Sequence, residues 1–322
     1  MTIPSKSLTA GQDYPQSWSQ FCGWFHDEIS CVNYLLKMRW PEEFTCPKCE
    51  AKGDPYQLSR KRLMCRSCRY QCTVTVGTIF EKTRIPLRDW FAAAWYITNQ
   101  KNGVSALGLK SALGLGSYQT AWSMLHKLRR AMVNPLRDKL GGVVEVDETF
   151  LGGPETGKRS SVQYTAKKVT VIIAVEVLAP KGFGRIRLRR ISRASKENAL
   201  SFIQEEVEKG TIIQTDGSPI YHALPDLGYI REKIVHLGAK DPAHITMPGV
   251  HRVASLLKRW LLGTFQGSVN SEHLDYYLDE FSFRFNRRAS KSRGLLFYRL
   301  LEQSVITAPI TYQGIKISKH NI

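Results

Sequence analysis

Residues 143–153 read VVEVDETFLGG, a strand-like run interrupted by three carboxylates, Glu145, Asp147 and Glu148. Side chains alternate along a strand, so Glu145 and Asp147 share one face and Glu148 points the other way. A further carboxylate, Asp216, ends the strand-like run TIIQTDGSPIY beside Gly217. If these strands are neighbours, Asp216 approaches Asp147, and two such carboxylates repel unless a cation lies between them. A hard divalent ion with oxygen ligands resolves that conflict, and magnesium is the usual choice where phosphates complete the shell. Taken singly, each aspartate reads as a turn or cap residue; only the pair makes a site.

A third group lies in TMPGVHRVASLLKRWLLGTF. Pro248 and Gly249 break the chain before a helix in which Val253, Leu256, Leu257 and Trp260 form an apolar stripe. His251, Ser255 and Lys258 form a separate polar stripe. His251 falls in the first turn, within reach of an ion held by two aspartates, and Lys258 would point at a nearby phosphate. Read alone, they are a helix-start residue and a solvated base.

The cysteines supply a second chemistry. CPKC (Cys46, Cys49) is followed after fifteen residues by CRSC (Cys65, Cys68), a spacing that closes a tetrahedral thiolate site around one zinc ion. Four thiolates leave no open coordination position, so this zinc is structural and stands in for a core too short to form alone. Cys72 either replaces Cys68 or is a spare thiol. Cys22 and Cys31 lie in an apparent single helix, WSQFCGWFHDEISCVNYLLKMRW, as small buried hydrophobes.

The partner is set by charge. Lys and Arg outnumber Asp and Glu by 46 to 28 over 322 residues, giving a net charge of +18 spread along the chain. That favours a polyanion, nucleic acid first, over a membrane surface. The sequence has no apolar run long enough for a membrane span and no secretory h-region, so a cytoplasmic location is expected, nucleoid-associated when DNA-bound.

The elements that must position these groups follow from periodicity. Pro86 and Leu87 open a helix with Trp90, Ala94 and Ile97 or Thr98 on one side. Residues 102–132 read as helix, glycine turn (GLGS, 114–117) and helix, a helix-turn-helix pattern. In its second helix Ala121, Leu125 and Leu128 face a core, while His126, Lys127, Arg129 and Arg130 face outward. From Val143 the texture becomes three strands, a helix capped by Ser195 and another strand, with acids on the first and fourth strands. This is the α/β layout of a ribonuclease H-like sheet. Ser271 then caps a helix with the core stripe Leu274, Tyr277, Leu278, Phe281 and Phe285, on which Glu280 is a rival third ligand placed on a packing face. The run RFNRRASKSRG follows. The expected organisation is 1–82 helix and zinc ribbon, 83–137 helix-turn-helix, 138–305 catalytic domain and 306–322 tail.

These blocks, RWP with the cysteine quartet, VEVDETFLGG, QTDGSPIY, LLKRWLLGTFQGSV and HLDYYLDEFSFRFNRR, occur in this order from about Arg39 to Gln303. In them the chain resembles an insertion-sequence transposase of the DDE type, in the group with an N-terminal zinc ribbon and an ISXO-like catalytic domain (insertion sequence 1595 family). The resemblance implies a ribonuclease H-like nuclease that cuts and rejoins double-stranded DNA at terminal inverted repeats, as a homodimer or larger assembly on DNA. Its two catalytic acids fall on Asp147 and Asp216. Its third position, Glu in many relatives, falls on His251, and the basic residue seven further on is Lys258, giving a DDH(K) site. Two Mg2+ ions per site are expected, with His251 shifting preference toward Mn2+. Phosphate contacts are expected from Lys127, Arg129, Arg130, Lys258, Arg259, Arg287, Arg288, Lys291 and Arg293. The alternatives are an inactive DNA-binding regulator and a nuclease that hydrolyses without strand transfer.

Overall fold

A computed structural model describes residues 8–58, 62–134, 137–152, 169–234, 247–266 and 269–317. The chain divides into two units. The first holds residues up to Asn134 together with Ala289–Ser318, and the second runs from Pro135 to Arg288.

In the first unit the expected N-terminal helix is two helices, α1 (Trp18–Trp24) and α2 (Glu28–Arg39). The break falls where Asp27 turns extended and its carboxylate accepts the Ser30 N–H, capping α2. Cys31 is buried, as expected, while Cys22 is only half-buried. Strands β1 (Tyr56–Leu58), β2 (Arg62–Met64) and β3 (Gln71–Thr73) form an antiparallel sheet in chain order. Helix α3 (Leu87–Asn99) is buried on most sides, Trp90, Ala94, Ile97 and Thr98 included. Helices α4 (Ala106–Leu113) and α5 (Tyr118–Arg130) follow, separated by Gly114 in the left-handed region (φ 62°) and by Ser117, whose hydroxyl caps α5.

The second unit is a five-stranded sheet made of β4 (Val143–Leu151), β5 (Val169–Val177), β6 (Phe183–Ile191), β7 (Ile212–Thr215) and β8 (Ile230–Lys233), in the order β6-β5-β4-β7-β8. β4, β5 and β6 form an antiparallel meander; β7 joins β4 in parallel and β8 joins β7 in parallel. Helix α6 (Lys196–Glu206) makes the crossover from β6 to β7, capped by Ser195 as expected. Alternation along β4 splits the interior in two. Val144 and Val146 pack with Ile172, Phe202, Ile203 and Tyr221 on the α6 face. On the other face Val171, Ile173 and Val175 of β5 pack against helices α7 (Pro248–Phe265) and α8 (Leu274–Asn286) through Val253, Leu257, Leu278 and Phe281.

Helix α8 is preceded by a 3-10 turn (Ser271–His273) that Asn270, not Ser271, caps. The sequence reading carried the third segment on to residue 305. Helix α9 (Arg293–Ile306) instead packs with α2 and α3 in the first unit, where Phe297 stacks edge-on against Phe21 and Phe91. Gly294 makes this possible: a Cβ there would lie 1.8 Å from the Pro15 carbonyl oxygen. The tail contains helix α10 (Tyr312–Ile317), which touches α5; its last residues, 318–322, and Gly153 of the first acidic run lie outside the described residues. Among the described residues no helix is long and apolar enough to cross a membrane.

Candidate active site and zinc site

Asp147 lies on the central strand of the sheet, on the face that packs α7, because Leu151 and Val171 flank that face while Val144 and Val146 line the other. β7 pairs in parallel with β4 as far as Glu145 opposite Gln214. Two residues on from that pair, along each strand's direction, come Asp147 and Asp216. The neighbouring strands that the sequence reading required are therefore present, with Asp147 in the middle of β4 and Asp216 just past the end of β7.

Asp216 sits in a well-fastened turn. Its Oδ1 accepts the Ser218 N–H at 2.9 Å. From the neighbouring β8, Arg231 donates to the Asp216 carbonyl at 3.0 Å, the Ser218 carbonyl at 3.1 Å and the Thr215 hydroxyl at 3.1 Å. Asp147 Oδ1 accepts the Glu148 N–H at 2.8 Å.

The two flanking glutamates reach in opposite directions. Glu145 is only 2% exposed, and its Oε2 accepts the Val250 N–H at 2.8 Å, at the start of α7. A negative charge there suits the positive end of a helix. Burial nonetheless raises the Glu145 pKa, with the Val250 and Gly249 N–H groups pulling it back and the charge of Asp147 adding to the rise. Glu148, on the α6 face, accepts a 2.5 Å hydrogen bond from the hydroxyl of Tyr221, which is fully buried. Burial lifts the Glu148 carboxyl to about 7; the Tyr221 bond opposes this, and the charges of Asp147 and Asp216 reinforce it. Burial likewise raises the Tyr221 hydroxyl, and Glu148, Asp147 and Asp216 all contribute. Glu148 and Tyr221 thus feel both aspartates.

His251 is half-buried in the first turn of α7, one residue past the Val250 that Glu145 holds. With Phe183, Pro248, Arg252, Ser255, Leu256 and Arg259 it lines a cavity of about 440 Å³. Lys258 is exposed on the same helix and is not among the lining residues. Glu280, the rival ligand, is fully buried and paired with Arg284 at 2.7 Å, so it belongs to the packing of α8.

The cysteine quartet is drawn together. Among the described residues, Cys46, Cys49, Cys65 and Cys68 are the only group of three or more His, Cys, Asp or Glu side chains with ligand atoms all within 4.8 Å. Asp147, Asp216 and His251 do not close to that mutual distance. The two halves of the quartet are built alike. Glu50 and Arg69, one residue past each pair, adopt φ near 59° and 58°. Their N–H groups return to the Cys46 and Cys65 carbonyls at 2.9 and 3.1 Å. Backbone N–H groups of Cys68 and Ser67 help hold the Cys65 thiol down to about 6, toward the thiolate that zinc needs. Four thiols grouped this closely fit one tetrahedral zinc. Cys72 is outside the set: it sits on β3, buried beside Leu63.

Two side chains read as facing outward are buried instead. Arg129 is 1% exposed and donates to the Val104 carbonyl at 3.2 Å. His126, read as outward, is fully buried against Trp122, whose carbonyl its Nδ1 meets at 2.9 Å. Arg288 is exposed but spends its guanidinium on the Phe183, Gly184 and Phe285 carbonyls, fastening the end of α8 to β6. Lys127 and Arg130 are half-exposed, Arg287 lies over the Phe283 ring, and Arg259, Lys291 and Arg293 are exposed. Tyr221, Arg231 and the separate tasks of Glu145 and Glu148 escaped the sequence reading. The opposite facing of the two glutamates was the signal, but a strand pattern names no partner.

Residues 139–286 match the family described as the ISXO2-like transposase domain, and residues 26–71 match the transposase zinc-ribbon domain. The chain thus carries, in this order, a transposase zinc-ribbon domain and an ISXO2-like transposase domain. It is also 26% identical over 277 residues, 81% of this chain and 91% of the relative, to an uncharacterized protein in transposable element ISH50 of Halobacterium salinarum.

Proposed function

We propose that this chain is a metal-dependent DNA transposase whose site is built from Asp147, Asp216, His251 and Lys258. The observation that carries this reading is that β4, which bears Asp147 on the face packed by the helix of His251, is paired in parallel with β7, whose chain runs straight on into Asp216. The strand order and sense, with three antiparallel strands followed by two parallel ones, support a ribonuclease H-like core. Helices α4 and α5, with their glycine turn, support a helix-turn-helix that presents Lys127 and Arg130 to DNA.

Asp147 and Asp216 offer oxygens and His251 an imidazole, a donor set that fits Mg2+ or Mn2+. Two such ions, when bound, lower the pKa of a water and neutralise charge on a phosphodiester. Lys258 and Arg259, both exposed, hold phosphates of the DNA near the reacting bond. In the first step water adds to phosphorus at the element end and the bond to the 3′ oxygen breaks, leaving a 3′-OH and a 5′-phosphate. In the second, that 3′-OH adds to a phosphorus of target DNA, and the target's own 3′ oxygen leaves with a proton. Two ends must be paired for this, so a dimer or larger assembly forms on the DNA.

The test is Asp147→Ala in cleavage and binding assays on DNA carrying the terminal repeats. Cleavage is abolished and binding stays near wild type; retained cleavage rejects the site. Strand transfer from a pre-cut 3′-OH end separates a transposase from a nuclease that only hydrolyses. Activity retained in His251→Glu shows that this position requires only a ligand; lost activity shows that imidazole is required.

A further inference from the structure

We infer that Glu145 and Glu148 are positioning residues, each fastening to β4 one of the two segments that carry Asp216 and His251. This rests on the site proposed above and adds what holds its parts together.

The geometry comes from one short stretch of strand. Asp147 is placed by β4 itself, which pairs on both sides. The other two members arrive on segments outside β4. Asp216 follows the last residue of β7, at the start of the turn that leads to Tyr221. His251 sits at the first turn of α7, whose opening N–H groups have no partners within the helix. Glu148 takes the hydroxyl of Tyr221, so the turn after Asp216 is tied to the residue next to Asp147. Glu145 takes the Val250 N–H, so the residue before His251 is tied to the strand two residues before Asp147. Because successive strand residues face opposite sides, one strand can hold both segments only with an acid on each face. That is why three carboxylates stand in four residues of a basic protein: one is the ligand and two are its brackets.

The approach at Gly249 is part of the arrangement. A Cβ on Gly249 would lie 2.8 Å from Glu145 Oε2 and 3.1 Å from the Phe183 ring, so the helix start can come this close only without a side chain there. Groups that orient ligands in this way are worth about 10–100-fold in metal affinity.

The experiment titrates Mn2+ into the full-length, DNA-free protein, following free Mn2+ by electron paramagnetic resonance, and then measures cleavage against Mn2+ concentration. Tyr221→Phe, Glu148→Ala and Glu145→Ala each weaken Mn2+ binding about 10–100-fold. Cleavage in these variants recovers at saturating Mn2+. Tyr221→Phe combined with Glu148→Ala is no worse than Glu148→Ala alone, because both remove one bond. Glu148→Gln and Glu145→Gln keep an acceptor and recover most of the affinity lost in the alanine variants. Unchanged Mn2+ affinity in the alanine variants overturns the proposal. So does a Glu148→Gln protein that stays as inactive as Asp147→Ala at every Mn2+ concentration, since Glu148 would then touch ion or substrate directly. If Asp147→Ala itself binds Mn2+ and cleaves normally, the site has failed and not its bracketing.

Discussion

Arg129 donates to the carbonyl of Val104 at 3.2 Å from a position that is 1% exposed, although it stands beside the exposed-looking run of a basic helix end. The side chain holds the segment before α4 against α5. Arg129→Ala therefore costs stability, about 1.5–3 kcal/mol for a hydrogen bond made by a charged group, measured by urea unfolding. Arg130→Ala, at a half-exposed position, leaves stability near wild type and lowers the salt dependence of DNA binding by about one counterion.

Zinc content separates the quartet from its neighbour. Cys68→Ser lowers bound zinc from about one per chain toward none, read by metal analysis of the purified protein. Cys72→Ser keeps its zinc, because Cys72 packs on β3 beside Leu63 and lies outside the thiol cluster. Chelation of the wild type melts the β1–β3 sheet and leaves the unfolding of residues 135–288 unchanged, since the sheet of that unit contains no part of the ribbon.

Gly294→Ala tests whether residues 289–317 belong to the first unit. The added Cβ would meet the Pro15 carbonyl oxygen at 1.8 Å, a backbone atom that cannot swing aside. The expected cost is about 3 kcal/mol or more, at the upper end of overpacking changes. It appears as earlier proteolysis of the first unit with the transposase domain still protected.

Acid sensitivity follows from Glu176. Burial would raise its carboxyl, but the Arg185 side chain and the Arg185 and Gly141 N–H groups outweigh burial, and the net shift is downward from 4.5. Arg185 closes on it at 2.6 Å. A carboxyl depressed in the folded state stabilises fully above its unfolded value, and that contribution is lost as pH falls through the folded value. Glu176→Gln is therefore less stable than wild type at neutral pH, and the gap in melting temperature narrows as pH drops below about 4.5.

The sequence by itself determined what is local. Apolar and alternating runs located β4, β5, β6 and β7, and hydroxyl caps located the starts of α5 and α6. Cysteine spacing named the four clustered thiols. It also required the strands carrying Asp147 and Asp216 to be neighbours, and β4 and β7 do pair. These signals survive because each depends on residues a few positions apart. Tertiary structure decided what depends on distant neighbours. Burial of Arg129 and His126 follows from what packs over α5, which charge and helical period do not encode. The strand β8 and its Arg231, the return of α9 to the first unit, and the partners of Glu145 and Glu148 are contacts across many residues. A carboxylate on a strand shows only that something must satisfy it. Which hydroxyl or helix end arrives to do so is fixed when the sheet closes against its two layers of helices.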